Sequence, residues 1–512
     1  MKSKSDKNTA FNGVVALTLA LVIVKILSAI YRVPYQNILG DEGLYAYQQI
    51  YPIVALGVIL TMNAIPSAIT QSFDTVGQVR QYTKVLINLQ MISAVFFLIL
   101  LVSAKWVASL MGDANLTPML RAASFSFLFI GILGVYRGYY QAQKMMNAPA
   151  LSQVIEQFVR VSIIMVAVVL FMTYQWSIYA AGTLAIAGSA AGFLASSLFL
   201  IKQKPFKLTR PDAQSNIEWR KLALAIIVFA VSQLIVIVWQ VVDSFTVLHA
   251  LKSTGLDFQQ ATTQKGIYDR GASFIQMGLI VTTTFSFVLI PLLTEAIKEK
   301  HDILTNRYAN ASIKITVMFS VAAGVGLINL LPVMNTVFFK NDSLTGTLAI
   351  YMLTVICVSL IMMDIALLQV KQQVRVVLFA FMMGVISKVL LNVILIPHLL
   401  MLGGSLSTVI SLVLFTLILH FNVLKHYKFQ TMRKFVFKLI LTMLMLSIAV
   451  QVTMWLIPTH GRIGGLIELL IAASIGVLVI LFATIHLQLL SYRELKHLPF
   501  GNKLYHMKRG KH

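Results

Sequence analysis

Long apolar runs separated by short polar segments dominate the chain. A transmembrane helix needs about 20 apolar residues, and runs of that length recur from residue 10 to residue 489. The pattern predicts an all-α integral membrane fold with about fourteen transmembrane helices. The predicted ranges are 10–33, 43–72, 84–110, 117–142, 150–173, 177–201, 219–249, 266–296, 309–332, 343–368, 374–396, 401–424, 433–457 and 463–489.

Short motifs that recur in the two halves indicate an internal repeat. The second predicted helix begins GLY at Gly43 and reaches an Ile-Pro step at Pro66. The eighth begins GIY at Gly266 and reaches an Ile-Pro step at Pro291, so the offsets are 223 and 225 residues. Matching order and nearly constant offset favour a repeat over coincidence.

A pair of polar positions recurs at a similar offset. Gln141 precedes Arg160 by nineteen residues and Gln369 precedes Lys388 by nineteen, at an offset of 228. Because each repeat holds an even number of helices, the symmetry axis should run along the membrane normal. We therefore predict two six-helix lobes related by an internal repeat, plus two C-terminal helices.

A polar, proline-containing segment between the sixth and seventh helices gives the domain boundary. The predicted domains are an N-lobe at 1–201, a cytoplasmic linker at 202–218, a C-lobe at 219–424, helices thirteen and fourteen at 425–489, and a basic cytoplasmic tail at 490–512. The first apolar run is too long for the core of a signal peptide and lacks a convincing cleavage site, so we predict a retained helix.

Composition excludes a soluble protein, because 58% of the residues are apolar and only 12% are charged. The net charge of +23 does not indicate a nucleic-acid partner, since no binding module is present and most cations lie in short loops. With the amino terminus inside, these loops face the cytoplasm. We predict a multi-pass bacterial cytoplasmic-membrane protein with both termini in the cytoplasm and contacts to anionic lipids.

Cations inside the predicted helices are the candidate binding residues. Lys25, Arg160, Arg270 and Lys388 lie within apolar runs, and Arg32 lies at the outer end of the first helix. An intramembrane charge costs roughly 2.5–3.5 kcal/mol and usually faces a polar cavity. Because Arg grips phosphate bidentately and Lys acts as a point charge, the set suits a pyrophosphate. Pairing with carboxylates or snorkelling is the alternative.

The repeat adds an expectation about two of these cations. Arg160 and Lys388 occupy matched positions, so they should face each other if they line a central cavity between the lobes. Tyrosines are frequent in two segments of the first half of the chain, Tyr31–Tyr51 and Tyr136–Tyr140. They indicate either an interfacial aromatic belt or a wall for a glycan.

Carboxylates in the helices are candidates for ion coupling. Asp243 follows Gln233 and Gln240 at a spacing that could form one polar helix face, and Asp364 lies in an apolar run. Each is a candidate site for Na⁺ or H⁺, or a buried partner for a cation. Cys357 is the only cysteine and is interpreted as a packing residue, so neither a cysteine-based metal site nor a bound cofactor is expected.

Missing motifs narrow the mechanism. The chain has no GxxxxGK[ST] loop for ATP, no HExxH zinc motif and no GxSxG nucleophile motif. Energy, where it is needed, would come from an ion gradient, the membrane potential or consumption of the product. We therefore expect a transporter without catalytic residues rather than an enzyme.

Two runs carry a family resemblance. YRGYYQAQKMMNAPALSQVIEQFVRV at 136–161 and KGIYDRGASFIQMGLIVTTTFSFVLIPLL at 265–293 resemble polysaccharide-biosynthesis exporters of the MOP superfamily. The likeness points to the Gram-positive branch with stage V sporulation protein B and MurJ-like lipid II flippases. It implies fourteen helices in two lobes that open alternately, with a polyprenyl-tail groove at helices thirteen and fourteen.

The resemblance also implies roles for individual cations. Lys25 matches the family's first helix-one cation and Arg270 its helix-eight arginine. Tyr31 stands where the family has a second helix-one arginine, with Arg32 one residue away, and no obvious counterpart to the helix-two arginine is present. This departure places the substrate among undecaprenyl-pyrophosphate-linked glycans rather than fixing it as lipid II.

The function that follows is a flippase. We expect it to move an undecaprenyl-pyrophosphate-linked cell-wall precursor, lipid II or a related lipid-linked oligosaccharide, to the outer leaflet by alternating access. Lys25, Arg32, Arg160, Arg270 and Lys388 would bind the pyrophosphate, with Na⁺ or H⁺ as candidate coupling ions. The polyprenyl-pyrophosphate-linked glycan is the expected partner, and cell-wall synthesis proteins are further candidates.

Three other functions fit parts of the sequence. A multidrug cation antiporter of the same superfamily would use Asp243 or Asp364 for organic cations. A membrane glycosyltransferase or ligase on the same carrier would need an outward carboxylate pair, for which Asp41 and Glu42 are the candidates. A non-transporting scaffold for cell-wall synthesis would tolerate loss of every intramembrane cation.

Overall fold

The computed structural model describes residues 23–24, 27–28, 31–73, 79–203, 206, 217–286, 289–457, 461–491 and 494. Within these ranges the chain is almost wholly helical and contains no strand. The α-helices are α1 (Arg32–Ile59), α2 (Ile65–Ser72), α3 (Val79–Leu110), α4 (Thr117–Phe127), α5 (Ile130–Ala142), α6 (Asn147–Tyr174), α7 (Ile178–Lys202), α8 (Trp219–Lys252), α9 (Phe258–Asp269), α10 (Gly271–Ser286), α11 (Ile290–Lys298), α12 (Asp302–Phe339), α13 (Thr345–Tyr351), α14 (Leu353–Val370), α15 (Val374–Leu399), α16 (Met401–His426), α17 (Met432–Leu456) and α18 (Gly461–His486). A π-helical turn at Leu60–Ala64 joins α1 to α2.

Twelve stretches of the described chain are long and apolar enough to cross a membrane. They coincide with twelve of the fourteen predicted helices, and the predicted all-α membrane fold is confirmed. The first predicted helix lies almost entirely outside the described residues. The eighth, 266–296, is divided among α9, α10 and α11.

The two breaks in the eighth predicted helix lie next to different kinds of residue. Arg270 occupies a turn between α9 and α10, directly after Asp269. Pro291 lies in the first turn of α11, where a proline is tolerated because its missing N–H has no partner in the helix. Pro66 holds the same position in α2, so the Ile-Pro step starts a short helix in both halves.

Gly40 marks the turn predicted between the first two helices. The chain stays helical from Arg32 to Leu39 and breaks at Gly40, whose φ of 75° and ψ of −176° are non-helical. Glycine reaches this left-handed φ at no steric cost because it has no Cβ. The sequence predicted a turn over residues 34–42, between the first two helices. In the structure this turn is reduced to a single non-helical residue, Gly40.

The chain divides into two compact units, Met1–Asp269 and Arg270–His512. In the first, α6 packs along α7, and α4 and α5 pack against α3. In the second, α15 packs along α16, and α14 lies against α12 and α16. The predicted linker at 202–218 lies largely outside the described residues, so the predicted lobe boundary stays a prediction.

Small residues allow the close approach of α6 and α7. A Cβ on Gly192 would lie 2.5 Å from the carbonyl oxygen of Glu156, and one on Gly188 would lie 3.0 Å from that of Arg160. The hydroxyl of Ser196 donates to the carbonyl of Ser152 at 2.5 Å. This small-xxx-small spacing is typical of close helix pairs in membranes, and here it fixes the backbone that carries Glu156 and Arg160.

We predict that Gly192→Ala lowers the thermal unfolding temperature of the protein in detergent. The added methyl group meets the backbone of α6, and overpacking of this kind costs about 1–3 kcal/mol. Gly326→Ala is the matched control, because a Cβ at Gly326 meets nothing within 4 Å and alanine has the higher helix propensity. Equal unfolding temperatures for the two variants would contradict this account of the helix contact.

Candidate functional site

Arg32 begins α1 and is held by aromatic rings. Its guanidinium carbon lies 5.2 Å from the ring centre of Tyr51 and 6.0 Å from that of Tyr31. The side chain is buried, and its Nε has no hydrogen-bond partner among the described residues. Cation–π contacts of this kind hold an arginine without neutralising its charge. Arg32 is therefore a buried cation rather than an anchor on the outer surface.

Four tyrosines around this arginine pack on one another and form what we call the tyrosine cluster: Tyr31, Tyr35, Tyr47 and Tyr51. The ring centres of Tyr47 and Tyr51 are 5.6 Å apart, and those of Tyr35 and Tyr47 are 5.1 Å apart. The hydroxyls of Tyr31 and Tyr47 share a 3.0 Å hydrogen bond. All four rings are buried within the first unit, so the interpretation as an interfacial belt is wrong for them.

Arg160 shares a carboxylate with a second arginine. Glu156 Oε1 accepts from Arg160 Nη2 at 3.2 Å, and Glu156 Oε2 accepts from Arg137 Nη2 at 2.8 Å. Glu156 and Arg160 are four residues apart on α6, so they meet on one helix face. All three side chains are almost completely buried. The sequence left open that Arg160 pairs with a carboxylate. The structure shows such a pair, but the carboxylate of Glu156 is shared with Arg137.

Arg137 on α5 has the fuller set of partners. Besides Glu156, its Nε donates to Ser152 Oγ at 2.9 Å and its Nη1 contacts Thr61 Oγ1 at 3.4 Å. Thr61 lies in the π-helical turn after α1, and such turns often occur at functional positions. Arg137 therefore ties three segments of the first unit together.

Arg160 remains only partly satisfied. Its Nε has no partner among the described residues, and its charge also acts on Tyr47 and Tyr51. The structure thus brings Arg32 and Arg160 to the same tyrosine cluster. Arg137 and Arg160 both bond to Glu156, so the three buried guanidiniums of this unit's candidate site, Arg32, Arg137 and Arg160, outnumber that carboxylate.

Two glutamines extend this polar face of α6. Gln153, Glu156, Gln157 and Arg160 recur at the spacing of one helix face. The amide of Gln157 has no partner for either of its polar atoms, and the amide oxygen of Gln153 has none, among the described residues. Both side chains are buried. The Gln157 amide nitrogen is a donor suited to an anionic ligand, whereas the two amide oxygens are acceptors.

Asp243 is buried on α8. It interacts electrostatically with Asp269, whose Oδ1 accepts from Lys265 Nζ at 2.5 Å. Gln233 is exposed whereas Asp243 is not, so the predicted polar face does not run the length of this helix. Asp243 stays a candidate for ion coupling.

In the second unit, Arg270 lies at the turn between α9 and α10. Its Nη1 contacts Asn335 Oδ1 at 3.4 Å, and its guanidinium carbon lies 5.4 Å from the ring centre of Phe339. Asn335 in turn donates to Thr345 Oγ1 at 3.2 Å. The helix break, α12 and the start of α13 thus together position the fully buried arginine.

Lys388 is surrounded by neutral oxygens. Its Nζ donates to Asn392 Oδ1 at 3.0 Å, one turn along α15, and to Ser407 Oγ and Thr408 Oγ1 of α16 at 3.1 and 2.7 Å. The carbonyl of Gly404 lies at 3.5 Å. The side chain is fully buried, so these oxygens replace the hydration of the ammonium group.

Asp364, the other candidate for ion coupling, pairs with a histidine. Both of its oxygens lie near His420 Nδ1, at 3.3 and 3.4 Å. Cys357, on the same helix, is free and buried, in agreement with a packing role. Among the described residues, no group of three or more His, Cys, Asp and Glu could hold a metal ion.

The remaining predicted ligand, Lys25, lies outside the described residues. The expected convergence of all five cations, and of Arg160 with Lys388, stays a prediction. Sequence reasoning missed Arg137, because it lies near a helix end and was grouped with loop cations. The signal in the sequence was that Arg137 lies within the predicted helix 117–142.

Known proteins resemble the chain over long stretches. A family model described as "Polysaccharide biosynthesis protein" matches residues 10–297. Among Bacillus subtilis (strain 168) proteins, uncharacterized membrane protein YabM is 31% identical over 96% of each chain. Lipid II flippase MurJ is 24% identical over 92% of this chain and 94% of its own length. Stage V sporulation protein B is 27% identical over 57% and 60%.

Solved structures share the fold. Lipid II flippase MurJ in an inward closed conformation has a TM-score of 0.70 at 17% identity, covering 94% of this chain and all of MurJ. An inward-facing MATE family multidrug resistance transporter of the MOP superfamily has a TM-score of 0.62 at 15% identity, covering 80% and 98%. The family resemblance found in the sequence is thereby confirmed. The chain belongs to the polysaccharide biosynthesis protein family and is a multi-pass membrane protein with the fold of MOP-superfamily exporters.

Proposed function

We propose that the protein is a flippase for an undecaprenyl-pyrophosphate-linked cell-wall precursor, lipid II or a related lipid-linked oligosaccharide. It would move the precursor from the inner to the outer leaflet of a bacterial cytoplasmic membrane. The lipid II flippase among its relatives supports this substrate class. The observation that carries the proposal is the excess of buried guanidinium charge beside the tyrosine cluster and the uncommitted polar face of α6.

The contacts of Arg32 and Arg160 suit reversible binding. A flippase must remove water from the pyrophosphate and later release the lipid, so its ligands must exchange partners at low cost. Arg32 rests on aromatic rings, and Arg160 shares its carboxylate with Arg137. Both can turn donors toward phosphate oxygens while Glu156 keeps a partner.

The other cations are also proposed pyrophosphate ligands, but their present contacts differ. Arg270 contacts the side-chain oxygen of Asn335 and the ring face of Phe339, both of which are neutral groups. Lys388 would have to leave its four oxygens to reach a phosphate. Lys25 completes the proposed set.

Access would alternate between the two predicted lobes, driven by Na⁺ or H⁺, with Asp243 and Asp364 as the candidate coupling residues. No bond of the precursor is made or broken in such a cycle, so the protein would act as a transporter and not as an enzyme. The basic loops support cytoplasmic termini and contacts with anionic lipids. Cell-wall synthesis proteins are proposed as neighbours of the flippase.

A multidrug cation antiporter is the second candidate, because MATE transporters share the fold and the chain has buried carboxylates at Asp243 and Asp364. The positive charge beside the tyrosine cluster opposes organic cations in that unit. The glycosyltransferase alternative has less support. Asp41 accepts from the Gln36 amide at 2.9 Å and Glu42 from the Gln259 amide at 3.0 Å, so both candidate catalytic carboxylates are hydrogen-bonded.

We predict that Arg32→Ala and Arg160→Ala each slow flipping by about tenfold or more. A hydrogen bond to a charged group contributes about 1.5–3 kcal/mol, which corresponds to this range. The measurement is the exposure of labelled lipid II to a membrane-impermeant reagent in proteoliposomes. Arg121→Ala is the matched control, because Arg121 on α4 is exposed. Wild-type flipping rates in both buried-arginine variants would refute the cation mechanism.

The two arginines that bond to Glu156 should contribute differently to the thermal stability of the protein. We predict that Arg137→Ala lowers the unfolding temperature more than Arg160→Ala does, because Arg137 also bonds to Ser152 and contacts Thr61. Loss of a partner from a buried ion pair costs about 3–5 kcal/mol. Thermal unfolding in detergent measures both variants. The assignment fails if Arg160→Ala is the less stable protein.

Transport of organic cations distinguishes the two candidate functions. We predict that the protein does not lower the accumulation of a fluorescent organic cation in cells, because its buried guanidiniums repel cations. Vector-only cells and a MATE transporter are the two controls. Efflux that depends on Asp243 or Asp364, as judged from Asp→Asn variants, would favour the antiporter.

A further inference from the structure

A buried acid and a half-buried base meet in the second unit, apart from the proposed phosphate ligands. Asp364 on α14 is completely buried, and both of its oxygens lie within 3.4 Å of His420 Nδ1 on α16. His420 is the one described residue that hydrogen-bonds to the Asp364 carboxylate or forms an ion pair with it. The negative charge of Asp364 is therefore compensated by one imidazole.

His420 lies partly at the protein surface, whereas Asp364 does not. The imidazole side chain is 35% exposed, whereas that of Asp364 is 0% exposed. Its ring stacks on Phe429 at a centroid distance of 6.1 Å and an angle of 17°, which fixes its orientation. A proton on the imidazole therefore supplies the positive charge that compensates the buried carboxylate.

Other titratable groups at this end of α14 and α16 contact different atoms. Tyr427 donates to the Leu367 carbonyl at 3.0 Å, and Lys371 lies over the Tyr427 ring at 5.5 Å. His426 Nδ1 bonds to the carbonyl of Asn422 at 2.9 Å. In the described part of the packed helices α10–α13 and α15, no further charged group acts on Asp364 or His420. The pair forms an electrostatic unit of its own.

The side chains of Asp364 and His420 suit a proton better than a metal cation. Hard metal cations are bound by several oxygens, whereas this site offers one carboxylate beside a ring nitrogen. An imidazole changes charge between about pH 5 and 8. When it is protonated, the pair is neutral overall and links α14 to α16. When it is neutral, the buried carboxylate loses its counter-charge, which is unfavourable in an apolar interior.

We propose that Asp364 and His420 form a proton-binding site that couples a proton gradient to the transport cycle. The proposal rests on the flippase function proposed above and names H⁺ as the coupling ion. Gain and loss of the His420 proton change the attraction between α14 and α16, two packed helices of the second unit. Protonation therefore acts on helix packing without touching the phosphate ligands.

The test uses proteoliposomes that contain labelled lipid II, with and without an imposed pH gradient. We expect a severalfold faster flipping rate with the gradient for the wild type. Asp364→Asn and His420→Gln should flip at a rate that does not respond to the gradient. His486→Gln is the matched control, because His486 on α18 is exposed and bonds to its own helix, and it should respond as the wild type does. A full gradient response in Asp364→Asn and His420→Gln would overturn the proposal.

A second measurement separates this proposal from the flippase function. If the wild type moves no lipid under any condition, the proposed function fails, and the proton site is tested by thermal unfolding. The wild type should exceed His420→Gln in unfolding temperature by more at pH 6 than at pH 8, because only the protonated imidazole forms an ion pair with Asp364. Asp364→Asn should lose the same pH-dependent difference. A difference that is independent of pH would overturn the proton site.

Discussion

The shared carboxylate of Glu156 is the interaction on which the first unit depends. An isolated charge in an apolar interior is costly, whereas a carboxylate between two guanidiniums compensates both in part. Its oxygens bind Arg137 and Arg160 from α5 and α6, and its own backbone carbonyl packs against Gly192 of α7. Helix packing and charge placement therefore depend on each other at one residue.

Three buried cations of the described chain are held in different ways, and each has a different consequence for ligand binding. Arg137 is fixed by a carboxylate and two hydroxyls, which suits a structural role. Arg32 rests on aromatic faces, and its Nε has no hydrogen-bond partner among the described residues. Lys388 is enclosed by neutral oxygens that satisfy all its protons. Burial and charge alone do not distinguish these cases, because the partner decides how easily a cation can be released.

Much of the fold could be predicted from the sequence, because twenty-residue apolar runs leave few alternatives to helices. The single-residue break at Gly40 and the division of the eighth helix could not, since both depend on local backbone geometry. Candidate cations were recognisable from the cost of burying them. Their partners were not, because Ser152 and Glu156 reach Arg137 only through the packing of α5 on α6.

The repeat explains why similar positions can carry different chemistry. Arg160 lies thirteen residues after the start of α6, and Lys388 lies fourteen residues after the start of α15, each on a helix that packs along its successor. Arg160 has a carboxylate one turn before it, whereas Lys388 has an amide one turn after it. The first unit thus keeps guanidinium charge that a phosphate can use. The second encloses its lysine and adds the Asp364–His420 pair, so matched helices of a duplicated scaffold carry different polar groups.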